Sequence, residues 1–230
     1  MMSRSFELVG CACAQLFCYS FNMKYVLVFL ADWANGLLAV LLASWIVGVE
    51  PLWWHFLMGI LIAHSPDLDA LPELWRRGKV AASAEHVGDH RDGLHYPILW
   101  LVAGGAVAYT LGYWGLVFLI ATMLHFVNDF YGTGWGIKFL WPFSNRSYKL
   151  LGRRVNRLKV LLQDSGEWET LSHDERRLRF VVSWSPVELP SYMQHWGIDD
   201  WIELYYLRFN WVNAVEYALF LAAATLTLVV

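Results

Sequence analysis

Apolar runs broken by short polar interruptions set the plan of this chain. Tyr25 to Val49 is almost wholly apolar, interrupted only by Asp32, Asn35 and Gly36, and at about 1.5 Å per residue it is long enough to cross a bilayer. After Glu50-Pro51 a second run extends from Leu52 to Ala63. It is short for a span, so it tilts or begins in the interface at Trp53-Trp54. Pro51 suits the first turn of a helix, and Pro66 ends or bends the run. Tyr96 to Leu111 and Leu116 to Phe130 follow, separated by Gly112-Tyr113-Trp114-Gly115, the pattern of a helical hairpin with a glycine turn. A last run covers Asn210 to Val230. The pattern predicts an all-α, polytopic integral membrane protein with about five transmembrane helices. Its parts are an N-terminal extension (1–24), a membrane-embedded core (25–143), a polar and amphipathic cytoplasmic segment (144–209) and a C-terminal transmembrane helix (210–230).

Composition agrees with this plan. The chain is 57% hydrophobic and 16% charged, and its fourteen Trp and eleven Tyr suit two interfaces to anchor. A net charge of −3 gives no basic excess for nucleic acid. Lys24, the residues from Arg76 to Arg91, and Arg146, Lys149, Arg153, Arg154, Arg157 and Lys159 fall on one side if there are five spans. The N-terminus is then inside, the C-terminus outside, and the connections at 48–51 and 112–115 carry no Lys or Arg, as the positive-inside rule requires. Asn145–Gln163 places leucines and Val155 at helical spacing among basic residues, which predicts an amphipathic helix on the inner leaflet. Ser172-His173-Asp174-Glu175 has the form of a capping box. Cys11, Cys13 and Cys18 make neither a disulfide framework nor a Cys/His zinc site. Leu8-Val9-Gly10-Cys11 looks like a lipoprotein box, but Glu7 interrupts the hydrophobic stretch before it, and Met23 offers an alternative start that makes residues 1–22 dispensable.

Metal-binding residue types gather where the apolar runs end. His125 and Asp129, four apart on a helix, share a face and can close on one ion. Asp67 and Asp69 flank Leu68; they are either turn residues or a pair able to serve one or two ions. His90 and His95 lie five apart with Gly93 between them, and Glu85 and His86 precede them. Arg91 is either a positive-inside anchor or a partner for a phosphate oxygen. His64 and Asp32 are secondary candidates, because an ionisable group within a span calls for a functional explanation. Glu216 either snorkels or pairs with Arg208. His55 falls at the opposite membrane face. Zincin, serine-hydrolase and P-loop motifs are absent.

The order Trp53-Trp54-His55, Pro66-Asp67-Leu68-Asp69, His90-Arg91 with His95, His125 with Asp129, and Trp141-Pro142-Phe143 resembles the YdjM-like family. That family is described as LexA-binding, inner-membrane-associated, metal-dependent hydrolases. The resemblance covers residues 25–143 and implies Asp67, Asp69, His90, His95, His125 and Asp129 as metal ligands, with the bacterial inner membrane as location. More distantly, the His-x-x-x-Asp pair is similar to that of zinc-dependent phospholipase C and P1-type nucleases, which implies phosphoester hydrolysis. The chain departs from the family in two places. Asp32 or Asn35 stands where the family has a histidine near the start of its first span, and Leu94-His95-Tyr96 replaces a Thr-His-Ser triplet.

The expected activity is metal-dependent hydrolysis of a phosphoester, lipid-derived or small, at the cytoplasmic interface. Zinc suits the mixed His/Asp set, with manganese as the alternative. Asp69 is the expected base and Arg91 the anchor for substrate. The competing expectation is a non-catalytic adaptor, in which metal staples the helix ends and residues 145–207 bind a cytoplasmic protein. A metal transporter would place its ligands at the bilayer midplane, not at the ends of spans.

Overall fold

A computed structural model describes residues 4–78, 80, 91 and 93–230, with side chains described from residue 24. One part is a helical bundle. α1 (Arg4–Val47), α2 (Trp53–Ala63), α4 (Pro97–Leu111), α5 (Tyr113–Tyr131) and α10 (Trp211–Val229) pack together, and the short α3 (Leu71–Arg77) follows a 3-10 turn, Pro66–Ala70. Among the described residues, three helical stretches are long and apolar enough to cross a membrane: Lys24–Val47, Tyr113–Tyr131 and Trp211–Val229. α2 and α4 are apolar but shorter.

Small residues let these helices approach closely. Ala34, Ala39, Ala43, Ala63 and Ala121 are fully buried. At the crossing of α1 and α2, a Cβ on Gly36 would collide with the backbone of Ile60, and one on Gly59 would lie 2.6 Å from the Gly36 carbonyl oxygen. In lipid, apolar burial gives helices little reason to associate, so close backbone packing carries much of the attraction.

The second part is built differently. β1 (Ser147–Gly152) and β2 (Arg179–Trp184) form an antiparallel pair in which Ser147 faces Trp184 and Lys149 faces Val182. Short helices α6 (Lys159–Asp164), α7 (His173–Arg176), α8 (Leu189–Trp196) and α9 (Trp201–Tyr206) surround it. Their core holds Trp135, Val155, Leu162, Leu171, Val182, Trp184, Met193 and Trp196. Ser172 caps α7 by accepting from the Glu175 amide, while Glu175 accepts from the Ser172 amide, as its spacing predicts.

Two expectations change. The fold is mostly helical but carries this two-stranded sheet, so it is not all-α. The segment read as one amphipathic helix on the leaflet, 145–163, is a strand, a connection and the short α6. Its basic residues are used internally: Arg154 pairs with Glu188 at 2.9 Å and Arg157 with Glu167 at 3.0 Å. Arg153 and Lys159 stack over Trp168. Leucine spacing alone could not reveal a strand partner some thirty residues away.

Candidate metal centre

Four elements bring the candidate residues to one end of the bundle. α5 presents His125 and Asp129 on one face. The 3-10 turn after α2 presents Asp67 and Asp69, and the segment entering α4 presents His95, with Pro97 opening that helix. α1 contributes Asp32 from within its span.

The two histidines are held alike. His125 Nδ1 lies 2.6 Å from Asp32 Oδ1, and His95 Nδ1 lies 3.0 Å from Asp69 Oδ2. With each ring neutral and donating its Nδ1 hydrogen to the carboxylate behind it, Nε2 turns a lone pair forward. Those two Nε2 atoms are 3.4 Å apart. Asp67 Oδ1 stands 3.4 Å from His95 Nε2 and 3.6 Å from His125 Nε2. Ligands about 2.0–2.1 Å from a tetrahedral zinc stand about 3.3–3.4 Å from one another, so this triangle has the size of a metal's ligand set. Asp129 brings a fourth oxygen, Oδ2, 3.2 and 3.3 Å from the same two nitrogens. That oxygen is buried and makes no hydrogen bond. Two facing lone pairs beside an unbonded carboxylate oxygen fit a cation between them.

Protons respond to the same field. Burial opposes charge on His95, but Asp129, Asp67 and Asp69 outweigh it and push its pKa up to about 10. Burial likewise opposes charge on Asp67, yet the nearby His125 and His95 hold its carboxyl below the usual range. A metal entering the site therefore competes with protons.

The candidate residues do not all stand at the centre. Asp69 sits behind His95, where its Oδ2 also accepts from the Leu94 amide at 2.6 Å, so it orients that ring. Gly93 makes this possible, since a Cβ there would lie 2.7 Å from Asp69 Cβ. Arg91 grips Asp129 Oδ1 at 2.6 Å and donates to the Thr133 carbonyl at 3.1 Å. His64 Nδ1 is 3.7 Å from Asp32 Oδ2. His90, with Glu85 and His86, lies outside the described residues. His55 stands at the other end of α2, where its Nδ1 accepts from the Leu52 amide.

Two placements were not readable from sequence. Asp32 pairs with a histidine 93 positions away, and the only hint was an ionisable group inside a span. Glu216 neither snorkels nor meets Arg208, which pairs with Asp164. It is 3% exposed on the buried face of α10, with Oε2 making no hydrogen bond.

Long apolar helices packed through small residues, with buried His and Asp side chains gathered at one end, define an integral membrane protein. Its His/Asp cluster is able to hold a metal ion. The chain belongs to the family described as YdjM inner membrane protein, which matches residues 1–229 and so extends well beyond the motifs at 25–143. The protein is thus an integral protein of the inner membrane. No curated protein and no solved structure matches it.

Proposed function

We propose that this protein is a membrane-bound, metal-dependent hydrolase that cleaves a phosphoester at the cytoplasmic face of the inner membrane. The observation that carries this is the convergence of His95 Nε2, His125 Nε2 and Asp67 Oδ1 within 3.4–3.6 Å of one another, with both rings fixed from behind by carboxylates. His95, His125 and Asp67 hold the ion, zinc by preference. When bound, zinc would bring the pKa of a coordinated water towards neutrality and polarise the scissile bond. Asp129, held by Arg91 through its other oxygen, is the carboxylate placed to take a proton. This moves the base from Asp69 to Asp129, and Arg91 acts through that carboxylate.

Access and topology fit a substrate at the interface. The Asp67 side chain is 34% exposed, so the centre opens on that side. Next to it Leu68, Leu71, Leu74 and Trp75 are exposed, and Arg76 and Arg77 end α3. Such a face suits the headgroup region, with apolar side chains in lipid and guanidinium groups at phosphates. In this topology α2 and α4 join the three longer helices as spans, giving five, with the N-terminus and the centre cytoplasmic. Lipid-derived and small phosphoesters share the chemistry this site recognises.

The adaptor alternative has one observation in its favour. If Asp129 Oδ2 ligates, four protein ligands close the ion's coordination, as in structural sites. The metal would then staple the helix ends, leaving the β1–β2 unit to bind a cytoplasmic partner such as LexA. The deciding experiment assays purified protein, with and without zinc, against a generic phosphodiester. Zinc-dependent turnover lost in His125→Ala is expected for the hydrolase. Bound zinc without turnover on lipid and soluble phosphoesters overturns the hydrolase and leaves the adaptor.

A further inference from the structure

Beside the first centre, Asp32, His64 and Asp67 form a second group in which one ligand atom from each lies within 4.8 Å of the others. We infer that this group binds a second divalent ion, and that Asp67 bridges the two. The inference rests on His95, His125 and Asp67 being a metal centre, and it deepens that reading.

Three observations carry it. First, Asp32 divides its oxygens: Oδ1 is taken by His125 Nδ1 at 2.6 Å, while Oδ2 faces His64 Nδ1 at 3.7 Å. That is too long for a hydrogen bond. It suits two ligands spread across one ion, which stand about 3.3–3.7 Å apart for bonds of about 2.1 Å. Second, the His64 ring packs edge-on against Phe29, with centroids 5.4 Å apart, which favours the orientation that faces Asp32. Third, the local charge favours it. Asp32, Asp67, Asp69 and Asp129 bring four carboxylates, and among the described residues Arg91 is the only Lys or Arg side chain paired with any of them. With both rings neutral, Arg91 and one divalent ion leave these four carboxylates one negative charge in excess beside hydrocarbon, which a second ion offsets.

The second ion has three protein ligands and therefore an open position for water or a phosphoryl oxygen. Paired ions clamp attacking and leaving oxygens in phosphoester cleavage. A closed first site, with Asp129 as fourth ligand, would then be compatible with catalysis.

The test is zinc stoichiometry in the full chain. Protein purified in detergent is stripped with chelator, reloaded with zinc, freed of excess and analysed for zinc by mass spectrometry. Two zinc ions per chain are expected for wild type, one for His64→Ala and for His64→Gln, and fewer than two for Asp67→Asn. Equal melting temperatures of the metal-free wild type and His64 variants establish that the variants fold. One zinc in wild type, or two retained in both His64 variants, overturns the inference; no zinc overturns both centres. One zinc with turnover removes the second ion and leaves the hydrolase standing. Two zinc ions without turnover do the reverse.

Discussion

The membrane bundle and the β1–β2 unit solve the packing problem with opposite materials. The bundle core is rich in alanine, glycine and valine, and it also buries polar side chains: Asp32, Asn35, His95, His125 and Glu216. The β1–β2 unit buries three tryptophans in one cluster, with Trp135 and Trp184 meeting edge to face at 5.4 Å. In water, large apolar side chains stabilise a core because they leave the solvent. In lipid that gain is gone, and what remains is close backbone approach and satisfaction of polar groups. The bundle is thereby suited to fix a charged centre, and the β1–β2 unit to fold around its own aromatic core.

Substitutions should separate the two regions, and the largest effect is expected in the β1–β2 unit. Trp184→Ala should cost about 3–5 kcal/mol there. Limited proteolysis should then cut within 145–207 while bound zinc is retained. Gly36→Ala should have the converse signature. Overpacking at the α1–α2 crossing costs about 1–3 kcal/mol and displaces Asp32 from His64. Zinc content should fall while residues 145–207 stay protected.

Asp69→Asn keeps the shape but weakens the acceptor behind His95, so zinc affinity should drop about 10–100-fold by competitive chelation. Unchanged affinity would show that Asp69 does not tune the ring.

A pH-dependent effect links the regions. Lys149, on β1, donates to Asn156 Oδ1 at 2.7 Å and to the Gly134 carbonyl at 3.1 Å, in the loop that follows α5. Burial, and then the charge of Arg91, lower its pKa from 10.5 to about 7. The folded state therefore carries its full penalty below pH 7, and the penalty fades as pH rises towards 10.5. Lys149→Met removes this slope, so the stability difference between wild type and variant should shift in favour of wild type between pH 7 and 10. Comparing the two proteins at each pH cancels the opposite slope from His95, whose folded state favours the proton. A constant difference across that range would refute the assignment.

The bundle was largely legible in the sequence because apolar runs and small residues act locally, and the His125–Asp129 pair could be read from helical spacing. The backing carboxylates could not. Asp32 reaches His125 across 93 positions, and Asp69 reaches His95 only because Gly93 lets the chain lean against it. The β1–β2 unit misled for the same reason. The leucine spacing of 150–162 fits a helix, while the β1–β2 pairing that holds 147–152 as a strand is a tertiary contact.

The most direct test of the metal centre is X-ray absorption spectroscopy of the zinc-loaded protein. Nitrogen and oxygen neighbours at about 2.0–2.1 Å are expected, with imidazole scattering that weakens in His95→Ala and His125→Ala. A sulfur shell at about 2.3 Å, which would point to Cys11, Cys13 or Cys18, or an absence of bound zinc, would contradict it.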